Sequence, residues 1–540
     1  MQILDLNELA NESLVDADLC VVGSGPAGVS IANEFAGART NVVVLESGGL
    51  ADELDTQSLY DIVSVGALRT IKQESLRRRI LGGSSHIWTG RCAPFFDLDF
   101  EPRPWVPFSG WPLARRSLEP YLERAGINLG LGPNRYDETL WQLFKVDRPT
   151  PTLDEQYLEP MFWQFSRNPL NPKEPARFGQ NILCSNAANL WLLLHANATH
   201  INTNPEGTRF ESVEVRSLRG KRARIRAKAL ALCCGGIENA RLLLSSNRLI
   251  PQGLGNRYDL VGRFLMDHIT CVMGNFDPTD AAKVRARFGQ YWLDNGGARS
   301  VYLHGFALSR EVQRKEQLLN GHAYLEEYGV ADDDPWSALG RLRASLASQS
   351  AMKQTYQDAK ICLTHAGEIC RGLYRRQIKH RPQLTRVKRV ELQCILEQTP
   401  DPESRVILSG NRTDALGMPL SEINWKMSER ERLTAWRLNQ LIGQEFRRLQ
   451  LPTPRPTPWL DEEKNWRSYF VERAHPSGTT RMSSDEKQGV VDPNCQVHGV
   501  EGLFVSGSSV FPTSGAANPT LMVVTMALRL SDWLKTKYFA

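Results

Sequence analysis

The chain has 540 residues, of which 41% are apolar, so it is long enough for two domains or one large composite domain. Its net charge of +5 gives little electrostatic support to nucleic-acid binding, and we predict no nucleic-acid partner. No stretch reaches the roughly 20 consecutive apolar residues that span a bilayer, so we expect no integral membrane segment.

The N-terminal twenty residues lack a basic region followed by an apolar core, and we expect no secretion signal. The ten cysteines are scattered, apart from Cys233-Cys234, and form neither a CxxC pair nor the spacing of a zinc or haem site. Reduced thiols in a cytoplasmic protein fit this pattern best. We therefore predict a cytoplasmic protein without a metal site.

Residues 18–49 predict a dinucleotide-binding unit. The apolar run Leu19 to Val22 is typical of a buried strand, and it leads into the motif Gly23-Ser24-Gly25-Pro26-Ala27-Gly28 and a predicted helix. Gly23 suits a tight turn, Gly25 the approach of a pyrophosphate, and Gly28 close packing of helix on strand. The phosphates would lie on free N–H groups at the helix N-terminus.

A second predicted strand, Asn41 to Leu45, ends at Glu46, which is followed by Ser47. The Glu46 carboxylate can accept hydrogen bonds from a ribose, and an acid here argues against NADP. The motif alone does not separate FAD from NAD. An ordinary βαβ unit with a glycine-rich turn is the plain alternative.

The segment Arg77 to Phe95 contains Gly82-Gly83-Ser84-Ser85, followed by His86-Ile87-Trp88-Thr89. This sequence resembles the signature of the glucose-methanol-choline (GMC) oxidoreductases, which are FAD enzymes, in particular their sugar-oxidising branch of pyranose oxidases and gluconate dehydrogenases. The resemblance implies that Trp88 and Thr89 lie beside the flavin. Pyranose oxidases carry FAD on a histidine just before the Trp-Thr pair; Ile87 stands there, so we expect non-covalent FAD. His86 remains a candidate for substrate binding or a histidine hydrogen-bonded within a loop.

Residues 190–268 predict more of the nucleotide domain. A strand ends at Cys234 and leads through Gly235-Gly236 into a helix, an element that closes the FAD domain in the family. By the same resemblance, the backbone near Ala198 approaches the adenine. The alternative for Gly235 is simple strand–helix packing. We interpret His268, which follows Asp267, as a structural, hydrogen-bonded histidine.

From about residue 270 to 470, alternating stretches such as 301–308 and 390–396 predict antiparallel strands of a substrate domain. Residues 340–390 hold twelve Lys or Arg against the two acids Asp358 and Glu368. This segment is interpreted as a solvated helical insertion, with a lid, a docking face for an acidic partner and a membrane-surface contact as alternatives. Glu397 could line the substrate cavity or make a surface ion pair.

The C-terminal part carries AHPSGTTRM and, later, VSGSSVFPTSGAANPT. Both closely resemble the C-terminal GMC signature, which places a catalytic histidine at His475 and a second polar residue at Asn518. The resemblance puts Gly507 and Ser508 under the flavin. Pro519 and Thr520 open the last helix, whose N-terminus can stabilise negative charge on the reduced ring. His498 is interpreted as scaffold.

Together these segments predict an α/β fold with a Rossmann-type FAD-binding domain containing a parallel sheet, and a substrate domain with an antiparallel sheet flanked by helices. The FAD domain would comprise residues 1–105, 186–268 and 469–540, and the substrate domain 106–185 and 269–468.

The predicted reaction oxidises a CH–OH group of a sugar, amino-sugar, glycoside or related alcohol. The hydride goes to FAD, since no side chain can accept one, and His475 takes the proton. Oxygen or a separate electron acceptor would reoxidise the flavin. A GMC-fold lyase, a non-catalytic flavin-binding module and an NAD-dependent enzyme are the alternatives.

Overall fold

The computed structural model of the protein describes residues 1–67, 69, 71–295, 298–347, 352–460 and 465–540. The strands of this part of the chain are β1 (Gln2–Asp5), β2 (Ser13–Asp16), β3 (Leu19–Val22), β4 (Val42–Leu45), β5 (Ile62–Ser64), β6 (Arg91–Cys92), β7 (Leu158–Phe165), β8 (Leu190–Leu194), β9 (Asn197–Thr203), β10 (Phe210–Arg216), β11 (Arg222–Arg226), β12 (Ala229–Leu232), β13 (Ile269–Phe276), β14 (Gln290–Asn295), β15 (Ala298–Leu308), β16 (Gly321–Val330), β17 (Val387–Leu396), β18 (Arg405–Thr413), β19 (Pro419–Asn424), β20 (Arg455–Pro456), β21 (Val471–Glu472) and β22 (Leu503–Val505).

The helices are α1 (Pro26–Glu34), α2 (Leu54–Ser58), α3 (Asp97–Phe100), α4 (Glu119–Asn128), α5 (Leu140–Phe144), α6 (Phe178–Leu183), α7 (Gly235–Ser245), α8 (Pro278–Arg287), α9 (Arg310–Glu316), α10 (Pro335–Ala347), α11 (Met352–Thr364), α12 (Ala366–Gln377), α13 (Glu429–Arg448) and α14 (Thr520–Trp533). No helix of the described residues combines the length and the apolar character needed to cross a bilayer.

A six-stranded parallel sheet brings distant parts of the chain together. Its order is β1-β8-β4-β3-β12-β22. The strands β3, β4 and β12 are buried along their whole length, as expected where both faces of a parallel sheet are covered. Because these strands run in parallel, their carboxyl ends share one edge, and ligands of open α/β sheets bind at that edge.

A larger, antiparallel sheet has the order β20-β13-β17-β16-β15-β7-β6, with β14 beside β15 and β21 beside β13. The predicted strands around 301–308 and 390–396 correspond to β15 and β17. The parallel sheet together with this antiparallel sheet and its helices confirms the predicted fold class. Pairing of β21 with the start of β13 aligns Glu472 with Ile269, which draws the chain around residue 475 toward residue 268.

The basic segment predicted as a helical insertion does contain helices, α10, α11 and α12, between β16 and β17. None of the described residues of these three helices lines the main cavity of the protein. The described residues of α10, α11 and α12 therefore do not form a lid that lines this cavity.

A buried ion pair joins the segment before residue 105 to the end of β17. The Arg103 guanidinium donates two hydrogen bonds to the Glu397 carboxylate, at 2.7 and 2.5 Å, and both side chains are almost completely buried. Glu397 also accepts a hydrogen bond from the Asn320 backbone at 3.0 Å. Of the two interpretations of Glu397, the ion pair is the one the structure contains, although it is buried instead of at the surface. Glu397 is not among the residues that line the cavity.

Replacing Arg103 by Met should destabilise the protein strongly. The substitution leaves Glu397 buried beside Asp99, whose pKa is already raised to about 7 by burial and by Glu397. Removing one partner of such a pair costs about 3–5 kcal/mol. Urea unfolding followed by tryptophan fluorescence measures this loss. Arg314→Met, which breaks an exposed pair with Glu101, is the control and should change the midpoint of urea unfolding little. Equal losses of unfolding free energy in both variants would contradict a special role for the buried Arg103–Glu397 pair.

Candidate active site

One cavity of about 690 Å³ runs from the carboxyl edge of the parallel sheet to the antiparallel sheet. Its size is ordinary for a cofactor-plus-substrate site. Most residues predicted to bind the cofactor or act in catalysis line it: Gly23, Gly25, Pro26, Ala27, Glu46, Ser47, Gly83, Ser84, Ser85, Trp88, Thr89, Ala198, Gly235, His475, Gly507, Ser508, Asn518, Pro519 and Thr520. Sequence-predicted positions from five separate stretches of chain therefore converge on one space.

The glycine positions test whether a dinucleotide fits this space. A Cβ built on Gly25, Gly235 or Gly507 would meet no described atom within 4 Å, and all three residues line the cavity. The cavity thus approaches bare backbone at the start of α1 and at two other turns. Such open backbone beside a helix N-terminus suits phosphate oxygens.

Gly28 and Gly82 support the site without lining it. A Cβ on Gly28 would lie 1.9 Å from the Gly23 carbonyl oxygen, so only glycine lets α1 pack on this turn. Gly82 has a φ of +95°, and its N–H donates to Ser24 Oγ at 3.0 Å. These two glycines hold the phosphate-binding turns against each other.

Glu46 is buried at the end of β4 and lines the cavity. Its carboxylate accepts hydrogen bonds from Ser24 and from the Gly48 N–H at 2.9 Å. Burial raises its pKa, and the hydrogen bonds act in the opposite direction. The carboxylate is held rigidly at the place where the nucleotide motif puts a ribose.

A charged cluster that sequence reasoning missed lines the same end of the cavity. Glu238 at the start of α7 pairs with Arg77 and Arg79, both at 3.0 Å, and with Arg241 at 3.3 Å. Its pKa is lowered by the three arginines despite its burial. The run of three arginines at 77–79 was visible in the sequence, but nothing local indicated its partner 159 residues away.

His475 is held at the cavity wall by the carboxylate of Asp267. Asp267 Oδ1 accepts hydrogen bonds from the backbone N–H of His475 at 2.9 Å and of Arg473 at 3.2 Å. Its other oxygen pairs with Arg69 at 2.8 Å in a fully buried contact. The main chain carrying His475 is therefore fixed by a buried, charge-assisted network.

The imidazole of His475 is oriented by a second histidine. His475 Nδ1 lies 2.9 Å from His268 Nδ1. His268 is buried, and its Nε2 lies 3.0 Å from the Ser514 carbonyl oxygen and 2.9 Å from that of Gly515. His268 is hydrogen-bonded as predicted, but its partner is the predicted catalytic histidine, so its role is wider than a structural one.

Asn518 and the N-terminus of α14 lie on the same cavity. Asn518 Oδ1 is buried and has no hydrogen-bond partner among the described residues. A buried amide oxygen without a hydrogen bond destabilises the folded protein unless a ligand donates a hydrogen bond to it. Thr520 begins α14, which places the positive end of a helix dipole at the cavity wall.

The part of the cavity beside the antiparallel sheet is polar. Arg473 donates to the Tyr324 hydroxyl at 2.6 Å, to Gln393 at 2.5 Å and to Thr270 at 3.2 Å. Tyr328, Glu326 and Arg91 line the same part. Sequence reasoning missed Arg473, although it stands two residues before His475.

His86, proposed for substrate binding, does not line the cavity. Its side chain is exposed, and its Nε2 lies 2.8 Å from the Leu81 carbonyl oxygen. Its neighbours Ile87, Trp88 and Thr89 do line the cavity. His86 is thus the loop histidine of the alternative interpretation.

Comparisons with known proteins agree with this geometry. Residues 400–527 match the family model described as GMC oxidoreductase. Over 97% of its length the chain is 22% identical to the fructose dehydrogenase large subunit of Gluconobacter japonicus, covering 98% of that protein. It is 23% identical to paromamine 6'-oxidase of Streptomyces fradiae, with 95% of this chain and 90% of the relative covered.

Among solved structures, pyridoxine 4-oxidase from Mesorbium loti superposes with a TM-score of 0.60 at 15% identity, covering 97% of this chain and 99% of that one. This likeness shows a shared fold. Together, the match of residues 400–527 to the GMC oxidoreductase model and the full-length relatives support the resemblance of this chain to the glucose-methanol-choline (GMC) oxidoreductases, which bind FAD.

Proposed function

We propose that this protein oxidises a CH–OH group of a sugar, amino-sugar, glycoside or related alcohol to the carbonyl, with His475 as the base that takes the hydroxyl proton. The observation that carries the proposal is His475, which contacts His268 and lines the same cavity as Gly23, Gly25 and Gly235. FAD, when bound there, supplies the acceptor for the hydride.

The hydrogen bonds of His268 support the role of His475 as a base. The carbonyl oxygens of Ser514 and Gly515 only accept, so His268 Nε2 carries the proton of the neutral ring. Its Nδ1 is then an acceptor, and His475 Nδ1 must donate to it. This arrangement leaves the lone pair of His475 Nε2 free to take a proton from a substrate hydroxyl.

The surroundings of both histidines lower their pKa values and so favour the neutral rings at physiological pH. Burial lowers the pKa of His268. The pKa of His475 is lowered well below its ordinary value, first by burial and then by His268 and Arg473. Asn518, with its unpaired amide oxygen on the same cavity, is proposed to hold the substrate oxygen in line as charge develops on it.

The proposed substrate class follows from the polar wall and from the relatives. Arg473, Tyr324, Tyr328 and Glu326 can exchange hydrogen bonds with several hydroxyl or amino groups at once. The relatives named above act, by their names, on fructose and paromamine. A hydroxyl-rich or amino-substituted substrate fits both observations better than a simple apolar alcohol.

FAD is proposed to bind non-covalently. Ile87 occupies the place of the flavinylated histidine, and the neighbouring His86 points away from the cavity. We further propose a cytoplasmic location, which the ten free thiols support, and reoxidation by oxygen or by a separate electron acceptor.

Replacing His475 by Ala tests the assigned base. Flavin absorbance should be retained, while the rate constant for anaerobic flavin reduction by substrate falls roughly 10²–10⁴-fold. Stopped-flow spectroscopy measures this rate. His498→Ala is the control, because His498 bonds to the Ser483 carbonyl and does not line the cavity. Reduction of the His475 variant at the wild-type rate would show that the base is wrong, as a lyase or another mechanism would require.

The pH dependence of reduction follows from the lowered pKa of His475. The neutral ring is the active base, and it persists down to a pH below the ordinary histidine value of 6.5. The wild-type rate constant for reduction should therefore be constant above about pH 6.5 and fall only on the acid side. A rate constant that rises through pH 7 to 8 would contradict a base with a lowered pKa.

Substituting His268 tests its control over the His475 tautomer. His268→Leu removes the acceptor for His475 Nδ1, and we expect reduction to slow roughly 10- to 100-fold with little change in substrate Kd. His268→Asn can present an amide oxygen in place of Nδ1 and should recover part of the rate. If both variants reduce the flavin at the same lowered rate, or if only substrate affinity changes, His268 does not act by fixing the tautomer of His475.

A further inference from the structure

The insertion between β16 and β17 turns an apolar stripe to solvent. Of the large apolar side chains that are exposed among the described residues, five lie within residues 356–378: Tyr356, Leu363, Leu373, Tyr374 and Ile378. The last three are 44%, 55% and 60% exposed. Scattered exposed apolar residues are normal, whereas a concentration of this kind marks an interaction surface.

The stripe follows one face of a helix. Cys370, Leu373, Tyr374, Gln377 and Ile378 have the i, i+3, i+4, i+7, i+8 spacing of a single helical face, and all five are exposed. We call these five residues the α12 stripe. On α11, Tyr356, Lys360 and Leu363 show the same kind of spacing and are also exposed.

The opposite face of α12 packs against the rest of the protein, and these contacts keep the α12 stripe on the solvent side. Gly372 packs so closely on α10 that a Cβ there would lie 2.2 Å from the Trp336 ring. Glu368 pairs with Arg386 at 2.6 Å, at the start of β17. Contacts of both kinds orient α12 with its apolar residues outward.

The charge around the stripe is positive. Arg371 and Lys379 flank it, and Lys360 lies on the exposed face of α11. Among the described residues, Glu368 is near enough to Arg371 for the two charges to interact. The acids of this segment are already engaged, since Asp358 pairs with Arg341 at 2.6 Å and Glu368 with Arg386. The surface therefore offers apolar side chains and cations together.

From these observations we propose that the α12 stripe is a membrane-contact surface that docks the protein on an anionic lipid bilayer. Apolar side chains would enter the headgroup region, while Lys360, Arg371 and Lys379 attract the lipid phosphates. This is the pattern of helices that lie in the membrane interface. Anionic lipid supplies negative charge to these exposed cations, and each cation near the membrane surface contributes to binding.

The test uses the flavin-loaded, full-length protein and vesicles of phosphatidylcholine mixed equally with phosphatidylglycerol. We expect co-sedimentation with these vesicles, weaker binding to phosphatidylcholine alone, and loss of binding as salt rises. Leu373→Glu should weaken binding roughly tenfold or more, and Lys379→Gln roughly fivefold. Leu170→Glu, which adds the same charge at another exposed leucine, is the matched control and should bind as wild type.

Unchanged flavin absorbance in each variant shows that it is folded. Absence of binding, equal binding to neutral and anionic vesicles, or equal binding by Leu373→Glu and wild type would overturn the proposal. Light scattering after size exclusion supplies a further outcome. If wild type is a dimer and Leu373→Glu a monomer, the α12 stripe is an interface between two copies, and membrane docking is wrong.

Discussion

The candidate active site depends on two adjacent residues, Asp267 and His268, which contact the backbone and the side chain of His475 respectively. The Asp267 carboxylate fixes the N–H groups of Arg473 and His475, and Arg69 balances its charge in the interior. His268 Nδ1 lies 2.9 Å from His475 Nδ1, and the proposed tautomers make His268 the acceptor. If His475 is the base, as proposed, a main chain and ring held in this way would lose little entropy when substrate binds.

Asp267 and His268 can position His475 at the cavity because the two sheets meet there. The parallel sheet brings the nucleotide turn after β3 and the segment after β22 to one edge, and the antiparallel sheet supplies β13, whose first residue follows His268. Just before His475, β21 pairs with the start of β13 and so joins this loop to the antiparallel sheet. The loop that carries His475 is thus positioned by sheet hydrogen bonds and by the hydrogen bonds of Asp267.

Local features of the sequence were sufficient to predict the glycine-rich turn and the strands around it. Gly23 and Gly28 are required by a turn whose geometry is set within six residues, and the buried strands around it follow from short apolar runs. The family signature placed His475 and Asn518 on the cavity. The fold class could be predicted for the same reason, because alternation and apolar runs report strands directly.

Features that depend on long-range pairing could not be predicted. His268 meets His475 across 207 residues, and Glu397 meets Arg103 across 294, so neither partner is visible in the local pattern. For this reason the sequence left Glu397 between the cavity wall and a surface ion pair, and only the structure shows its buried pair with Arg103. His86 and Trp88 are two residues apart, yet the 3-10 turn at 83–86 sends only the second to the cavity. Periodicity shows that the basic insertion is helical, but only the packing of Gly372 on Trp336 shows which face of α12 remains outside.

The most direct test of the account is the visible spectrum of the purified protein before and after anaerobic addition of sugars, amino-sugars and simple alcohols. The account predicts a bound flavin whose absorbance bleaches with one group of hydroxyl-rich or amino-substituted compounds. A flavin that none of these alcohols bleaches would contradict the proposed oxidation, and a colourless protein that does not take up added FAD would contradict the cofactor site itself.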